Sequence, residues 1–143
     1  MADTGTAVEH RFPVRVFYED TDAAGIVYYA NYLKFAERGR TEMLRAAGIG
    51  QRALREATGV AFAVRRCLVD YLRPARLDDL LEVRTRILST HGAVIEAEQV
   101  VAREAEELVR LQVTLVCTDS RGRATRLPET VLKAIRQHSS SHL

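Results

Sequence analysis

The chain has 143 residues and a mass of 16.0 kDa, the size of one compact domain with little room for a second. Its 47% apolar residues suffice for a core that needs no disulfide or metal staple. With 21 basic and 19 acidic side chains, the net charge is +2 and no block of like charge stands out. That balance argues against a nucleic-acid or acidic partner.

The N-terminus, Met-Ala-Asp-Thr-Gly-Thr-Ala, lacks the charged-then-apolar pattern of a signal peptide. No stretch approaches the roughly 18–20 apolar residues that span a bilayer. The expectation is a soluble, cytoplasmic single domain over 1–143, with 1–9 and 139–143 as flexible tails. Residues 12–19 alternate, Val14, Val16 and Tyr18 against Arg15, Phe17 and Glu19, and read as the first strand. A polar turn from Asp20 to Gly25 follows. Then Tyr32, Phe35, Ala36, Gly39, Met43 and Ala47 recur at three- and four-residue steps, forming one apolar helical stripe.

Asn31 reads as the N-cap of that helix and Gly48 as its left-handed close. Gly39 costs about 1 kcal/mol inside a helix, and its place on the stripe implies that another backbone packs close there. A short helix over 51–57 follows. Four strands come next, near 61–71, 80–88, 93–103 and 108–118. The run from Pro74 to Asp79 connects the first two, and the turn between the last two holds Glu104, Glu106 and Glu107. A closing helix starts near Pro128 and buries Val131, Leu132 and Ile135. Strand, long helix, then four strands indicates an α+β domain with an antiparallel sheet packed on one helix. The free sheet edges point to association through an edge.

Few residues carry chemistry. There is no Gly-x-Ser-x-Gly and no glycine-rich phosphate loop. His10, His91, His138 and His142 are scattered. Cys67 and Cys117 lie far apart in apolar strand-like runs and read as small buried hydrophobes. Neither a metal nor a cofactor is expected. What remains is the run Glu19-Asp20-Thr21-Asp22-Ala23-Ala24-Gly25-Ile26-Val27-Tyr28-Tyr29-Ala30-Asn31-Tyr32. Its carboxylates lie between a strand and the start of the longest helix. An ordinary polar turn, with Asp20 or Asp22 bonding local backbone, accounts for them. So does catalysis: free N–H groups at a helix start stabilise a carbonyl oxygen that is gaining charge. Carboxylate and oxyanion donor together are the minimum for acyl transfer.

The segment from Tyr18 to Tyr32 resembles the active-site signature of the 4-hydroxybenzoyl-CoA thioesterase family of hot-dog proteins. The likeness continues through Phe35-Ala36-Glu37-Arg38-Gly39-Arg40-Thr41-Glu42-Met43-Leu44 and Pro74-Ala75-Arg76-Leu77-Asp78-Asp79. Within that family the chain looks most like the acyl-CoA thioesterases associated with the bacterial Tol–Pal system. The resemblance implies a five-stranded antiparallel sheet wrapped around a long central helix, and a homodimer or homotetramer with active sites at subunit interfaces. It implies Asp22 as the catalytic carboxylate and the backbone N–H of Tyr29 as the group polarising the thioester carbonyl. Gly25 and Tyr28 fall on the substrate side of the same motif. Tol–Pal-associated relatives commonly carry histidine where this chain has Tyr29, whereas 4-hydroxybenzoyl-CoA thioesterases carry tyrosine.

A thiolate leaves readily near neutral pH, because free thiols have pKa about 8.5. One carboxylate therefore suffices, whether it attacks the carbonyl to form a mixed anhydride or activates water. Gly25 supplies the backbone freedom for the turn. Arg65, Arg66, Arg121, Arg123 and Arg126 are the arginines considered for CoA phosphates. The competing reading is a non-catalytic module that holds an acyl group or acyl carrier protein. A hot-dog transcription regulator needs a DNA-binding appendage, for which about ten residues before the first strand leave no room.

Overall fold

The computed structural model describes residues 9–139, so the stretches expected to be loose fall outside the description save for Glu9 and Ser139. Five strands form one sheet: β1 (His10–Arg15), β2 (Ala61–Tyr71), β3 (Leu80–His91), β4 (Val94–Arg103) and β5 (Glu106–Thr118). Their spatial order is β1-β3-β4-β5-β2, antiparallel throughout. Helix α1 (Asn31–Ala46) lies against it, followed by α2 (Gln51–Thr58), with α3 (Glu129–Ser139) closing the chain. Irregularities at Val64/Arg66, Ile87/Ser89 and Val101/Ala102 add local twist, which helps the sheet curl around α1.

The apolar stripe of α1 is where its period places it. Tyr32, Phe35, Ala36, Gly39 and Met43 are buried, joined by Leu44, while Ala47 lies at the half-buried end. Opposite them stand Val83 of β3, Ile95 and Val101 of β4, and Leu111 and Val113 of β5, all buried. Phe35 alone contributes about 1.5–3 kcal/mol by leaving water. A Cβ on Gly39 would fall 2.5 Å from Val83 Cγ1 and 3.1 Å from Val83 Cβ, so the close approach expected at Gly39 is real, but it is to a β3 side chain and not to another backbone.

Three expectations shift by a few residues. The first strand ends at Arg15 rather than running to Glu19. Val16 stays in the core and exchanges backbone bonds with Asp78 and Asp79. Asp20 Oδ2 then accepts the Phe17 N–H at 2.8 Å and winds Tyr18–Asp20 into a 3-10 turn. Alternation stops there, and Phe17 and Tyr18 face outward. Asn31 is the first helical residue and not the cap; the cap position is Ala30, which gives no side-chain bond. The Asn31 amide instead donates to the Asp20 carbonyl at 2.9 Å. The β4–β5 turn is Glu104-Ala105 alone, with Glu104 at φ 55, while Glu106 and Glu107 already belong to β5.

Candidate active site

The segment between β1 and α1 folds into a closed loop. Thr21 pairs with Val27 as an isolated bridge, and the Asp22 N–H donates to the Ile26 carbonyl at 2.8 Å. Gly25 donates back to the Asp22 carbonyl at 3.0 Å. Its φ is +79, in the left-handed region where glycine is at ease. Nothing lies within 4 Å of a would-be Cβ, so backbone conformation and not space selects glycine. Asp22 Oδ1 accepts the Ala24 N–H at 2.8 Å, which orients an otherwise exposed carboxylate. Both turn aspartates thus bond local backbone, as the plain-turn reading expected, and Asp22 keeps its second oxygen without a protein donor among the described residues.

The Asp20 carbonyl ties the strand end to the helix start. It accepts both the Tyr28 N–H and the Asn31 side-chain amide, each at 2.9 Å. Asn31 N–H is taken by the Tyr28 carbonyl at 2.8 Å. The N–H of Tyr29, between them in sequence, has no partner among the described residues. Orphan donors of this kind, at the positive end of a helix, are suited to an oxyanion.

A third segment, Pro74–Asp79, braces this loop. Val27 N–H donates to the Ala75 carbonyl at 2.9 Å, and Ile26 bridges to Arg76. The buried Tyr32 hydroxyl accepts the Ala75 N–H at 2.9 Å, and burial pushes that phenol up, away from ionisation. The brace is fixed by charge. Asp79 Oδ2 accepts from Arg76 N–H at 2.8 Å and from Arg103 at 2.6 Å, and Arg103 also bonds Glu106 at 2.6 Å. Burial pushes the Asp79 carboxyl upward, yet the Arg76 N–H and the Arg103 guanidinium outweigh it and hold the group below its ordinary range.

The four residues singled out in sequence, Asp22, Gly25, Tyr28 and Tyr29, therefore share one loop and helix start. Sequence reasoning missed Tyr71, at the far end of β2. Its ring meets Tyr29 edge-on at 6.0 Å and Tyr32 at 5.8 Å, and its hydroxyl donates to the Tyr29 carbonyl at 3.2 Å. Only the register of β2 on the sheet brings it there. A cleft of about 410 Å³ beside the helix start is lined by Arg15, Phe17, Asp20, Asn31, Lys34 and Arg38. Of the arginines considered for phosphate, Arg121, Arg123 and Arg126 follow Thr118, which pairs with Ala61, whereas the site lies at Tyr71. The length of β2, about 30 Å, separates them from the site within one chain. Among the described residues no group of three or more His, Cys, Asp or Glu side chains is placed to hold a metal ion. Among the described residues no helix is long and apolar enough to cross a membrane.

A model of the thioesterase-like superfamily matches residues 16–135. The chain belongs to that superfamily. It is 46% identical over 129 residues to the acyl-CoA thioester hydrolase YbgC of Escherichia coli O6:H1, covering 89% of this chain and 96% of that one. The acyl-CoA thioesterase YbgC of Haemophilus influenzae is 47% identical over 108 residues, covering 76% and 79%. Among solved structures, a probable thioesterase from Bartonella henselae superposes with TM-score 0.82 at 38% identity, covering 85% of this chain and all of that one. A 1,4-dihydroxy-2-naphthoyl-CoA thioesterase from Synechocystis, at 21% identity, shares the fold with TM-score 0.83 over 90% of this chain and 96% of its own. The hot-dog arrangement expected from the motif is thus the one observed.

Proposed function

We propose that this superfamily member is an acyl-CoA thioesterase that releases free acid and CoA, with Asp22 as its nucleophile or general base. The observation that carries the roles is the loop from Asp20 to Tyr29. It presents the exposed Asp22 carboxylate, one oxygen of which has no protein donor among the described residues, beside the helix start, where the Tyr29 N–H has no acceptor among them. The acyl-CoA substrate is supported by the YbgC relatives. Polarisation of the thioester carbonyl falls to Tyr29 N–H, Gly25 keeps the loop closed, and Tyr28 flanks the substrate with Tyr29 at 4.9 Å between ring centres. The cations of the neighbouring cleft, Arg15, Lys34 and Arg38, suit the phosphates of CoA. No cofactor enters the reaction, because a thiolate leaves without help from an acid.

The working unit in this reading is a homodimer, or a homotetramer built from it. β2 lies at the sheet edge with only β5 beside it, and Val64, Leu68 and Tyr71 are about half exposed along it, as is Leu72 just past its end. A long, apolar, uncovered edge strand is a template for a second chain. The motif resemblance extends the reading to a cytoplasmic enzyme working alongside the Tol–Pal system, with acyl carrier protein as an alternative donor of the acyl group.

Asp22→Asn tests the assignment, read as free thiol released from a panel of acyl-CoA esters. Asparagine keeps the oxygen that accepts the Ala24 N–H, so the loop survives while the base or nucleophile is lost. The expected fall in kcat is on the order of 10²–10⁴. Turnover within tenfold of wild type would remove Asp22 from the mechanism.

A further inference from the structure

The face between α1 and β2 carries two cavities in succession, starting one turn beyond the helix start. The first, of about 280 Å³, is lined by Leu33, Lys34, Glu37, Arg40, Val64 and Cys67. The second, of about 300 Å³, adds Thr41, Leu44, Phe62 and Leu115. Glu37, Arg40 and Val64 belong to both and form the partition between them.

Arg40 is held in that partition from behind. Gln99 is fully buried, and its amide nitrogen donates to the Ala36 carbonyl and to Thr85 Oγ1, each at 2.9 Å. Those bonds turn the Gln99 oxygen outward, where it accepts Arg40 Nη1 at 3.0 Å. No carboxylate lies within 4 Å of the half-buried guanidinium among the described residues. Burial lowers the Arg40 pKa, with Glu37 one turn away opposing it, but the group stays charged at neutral pH. An apolar chain threading past it would strip its remaining water and offer no acceptor in return.

We infer that Arg40 is the specificity-determining residue that ends the acyl site, so that the thioesterase takes acyl chains confined to the first cavity. The inference rests on the reading of Asp22 and Tyr29 as the reacting end. Arg40 lies nine residues into α1 from Asn31, roughly 14 Å at about 1.5 Å of rise each, and the turn at Tyr29 and Ala30 brings its separation from Tyr29 to roughly 16 Å. Its side chain leans back toward the helix start and takes up about a third of that distance. With carbon–carbon bonds of about 1.5 Å, the space left suits an extended chain of roughly eight carbons.

Straight-chain acyl-CoA esters of increasing length test this. In the wild type, kcat/KM is expected to rise about fourfold per buried methylene and to stop rising near eight carbons. Arg40→Met should move that break to longer chains by at least two carbons. Thr41→Phe, which fills only the second cavity, should leave the wild-type break in place. A folded Arg40→Met with an unmoved break overturns the inference. So does a Thr41→Phe break that shifts to shorter chains, since the chain would then already pass Arg40; this arm holds even if Arg40→Met fails to fold. A clear preference for esters ending in a carboxylate over saturated ones of equal length overturns it too, because Arg40 would then recognise and not exclude. No thiol release from any ester by wild type would instead remove the thioesterase reading beneath it.

Discussion

At position 29 the backbone and the side chain have separable duties. The N–H has no acceptor among the described residues, while the ring packs against Tyr28 and Tyr71 and is largely exposed. Tyr29→Phe keeps both the ring and the donor, and is expected to retain most of kcat. Tyr29→Pro removes the donor and should cost on the order of 10²–10³ in kcat, the usual loss for one oxyanion-hole donor. Circular dichroism must accompany the assay, because proline also restricts Tyr28. Equal damage from the two substitutions would place the phenol itself in the chemistry. The carboxylate pair shows how little of a role is written in residue type. Asp20 and Asp22 are two positions apart in one motif and each accepts one local N–H, from Phe17 and Ala24 respectively, yet Asp20 is half-buried and Asp22 is exposed.

The helix and its sheet are fitted at one close approach. Gly39 lets α1 rest on Val83, and the buried Gln99 pins the same turn through the Ala36 carbonyl. Gly39→Val would put methyl groups where Val83 already stands and is expected to cost about 1–3 kcal/mol through overpacking. Urea denaturation would show it as a lower midpoint at unchanged slope. Wild-type stability would mean that β3 yields there without cost. The place of Gly39 on the apolar stripe was legible in the sequence. Gln99 was not: on β4 it occupies an inward position between Ala97 and Val101, where periodicity alone has no reason to put an amide. Its bonds to Thr85 and Arg40 exist only once three elements meet.

For the whole molecule, the charge network at the 74–79 brace bears on stability, and the proposed assembly would add to it. Asp79, Arg103 and Glu106 bind the 74–79 brace to the sheet with side chains less than half exposed. Asp79 is held below its ordinary range when folded. Its contribution is therefore complete above the ordinary carboxylate pKa and is lost as pH falls through the lowered folded value. Arg103→Met should cost about 1–2 kcal/mol at pH 7. In thermal melts the gap to wild type should narrow below about pH 4; a gap that is constant with pH would deny the linkage. Assembly is expected as well. Sedimentation should show a species at least twice the 16.0 kDa chain mass, and Leu68→Lys on the exposed edge of β2 should weaken it. A stable, active monomer would exclude the interface reading.

The number, type and chain order of the strands and α-helices were legible in the sequence, while the end of the first strand and the start of the long helix were not. Alternation through much of β3, β4 and β5, the stripe of α1, and the glycines at 25 and 48 are local signals, each set by backbone period or by a left-handed residue. The strand order, the brace from Pro74–Asp79, the ring of Tyr71 against Tyr29, and Arg40 between two cavities were decided by tertiary structure alone. Each joins residues distant in the chain, and only the assembled sheet with α1 laid on it brings them together.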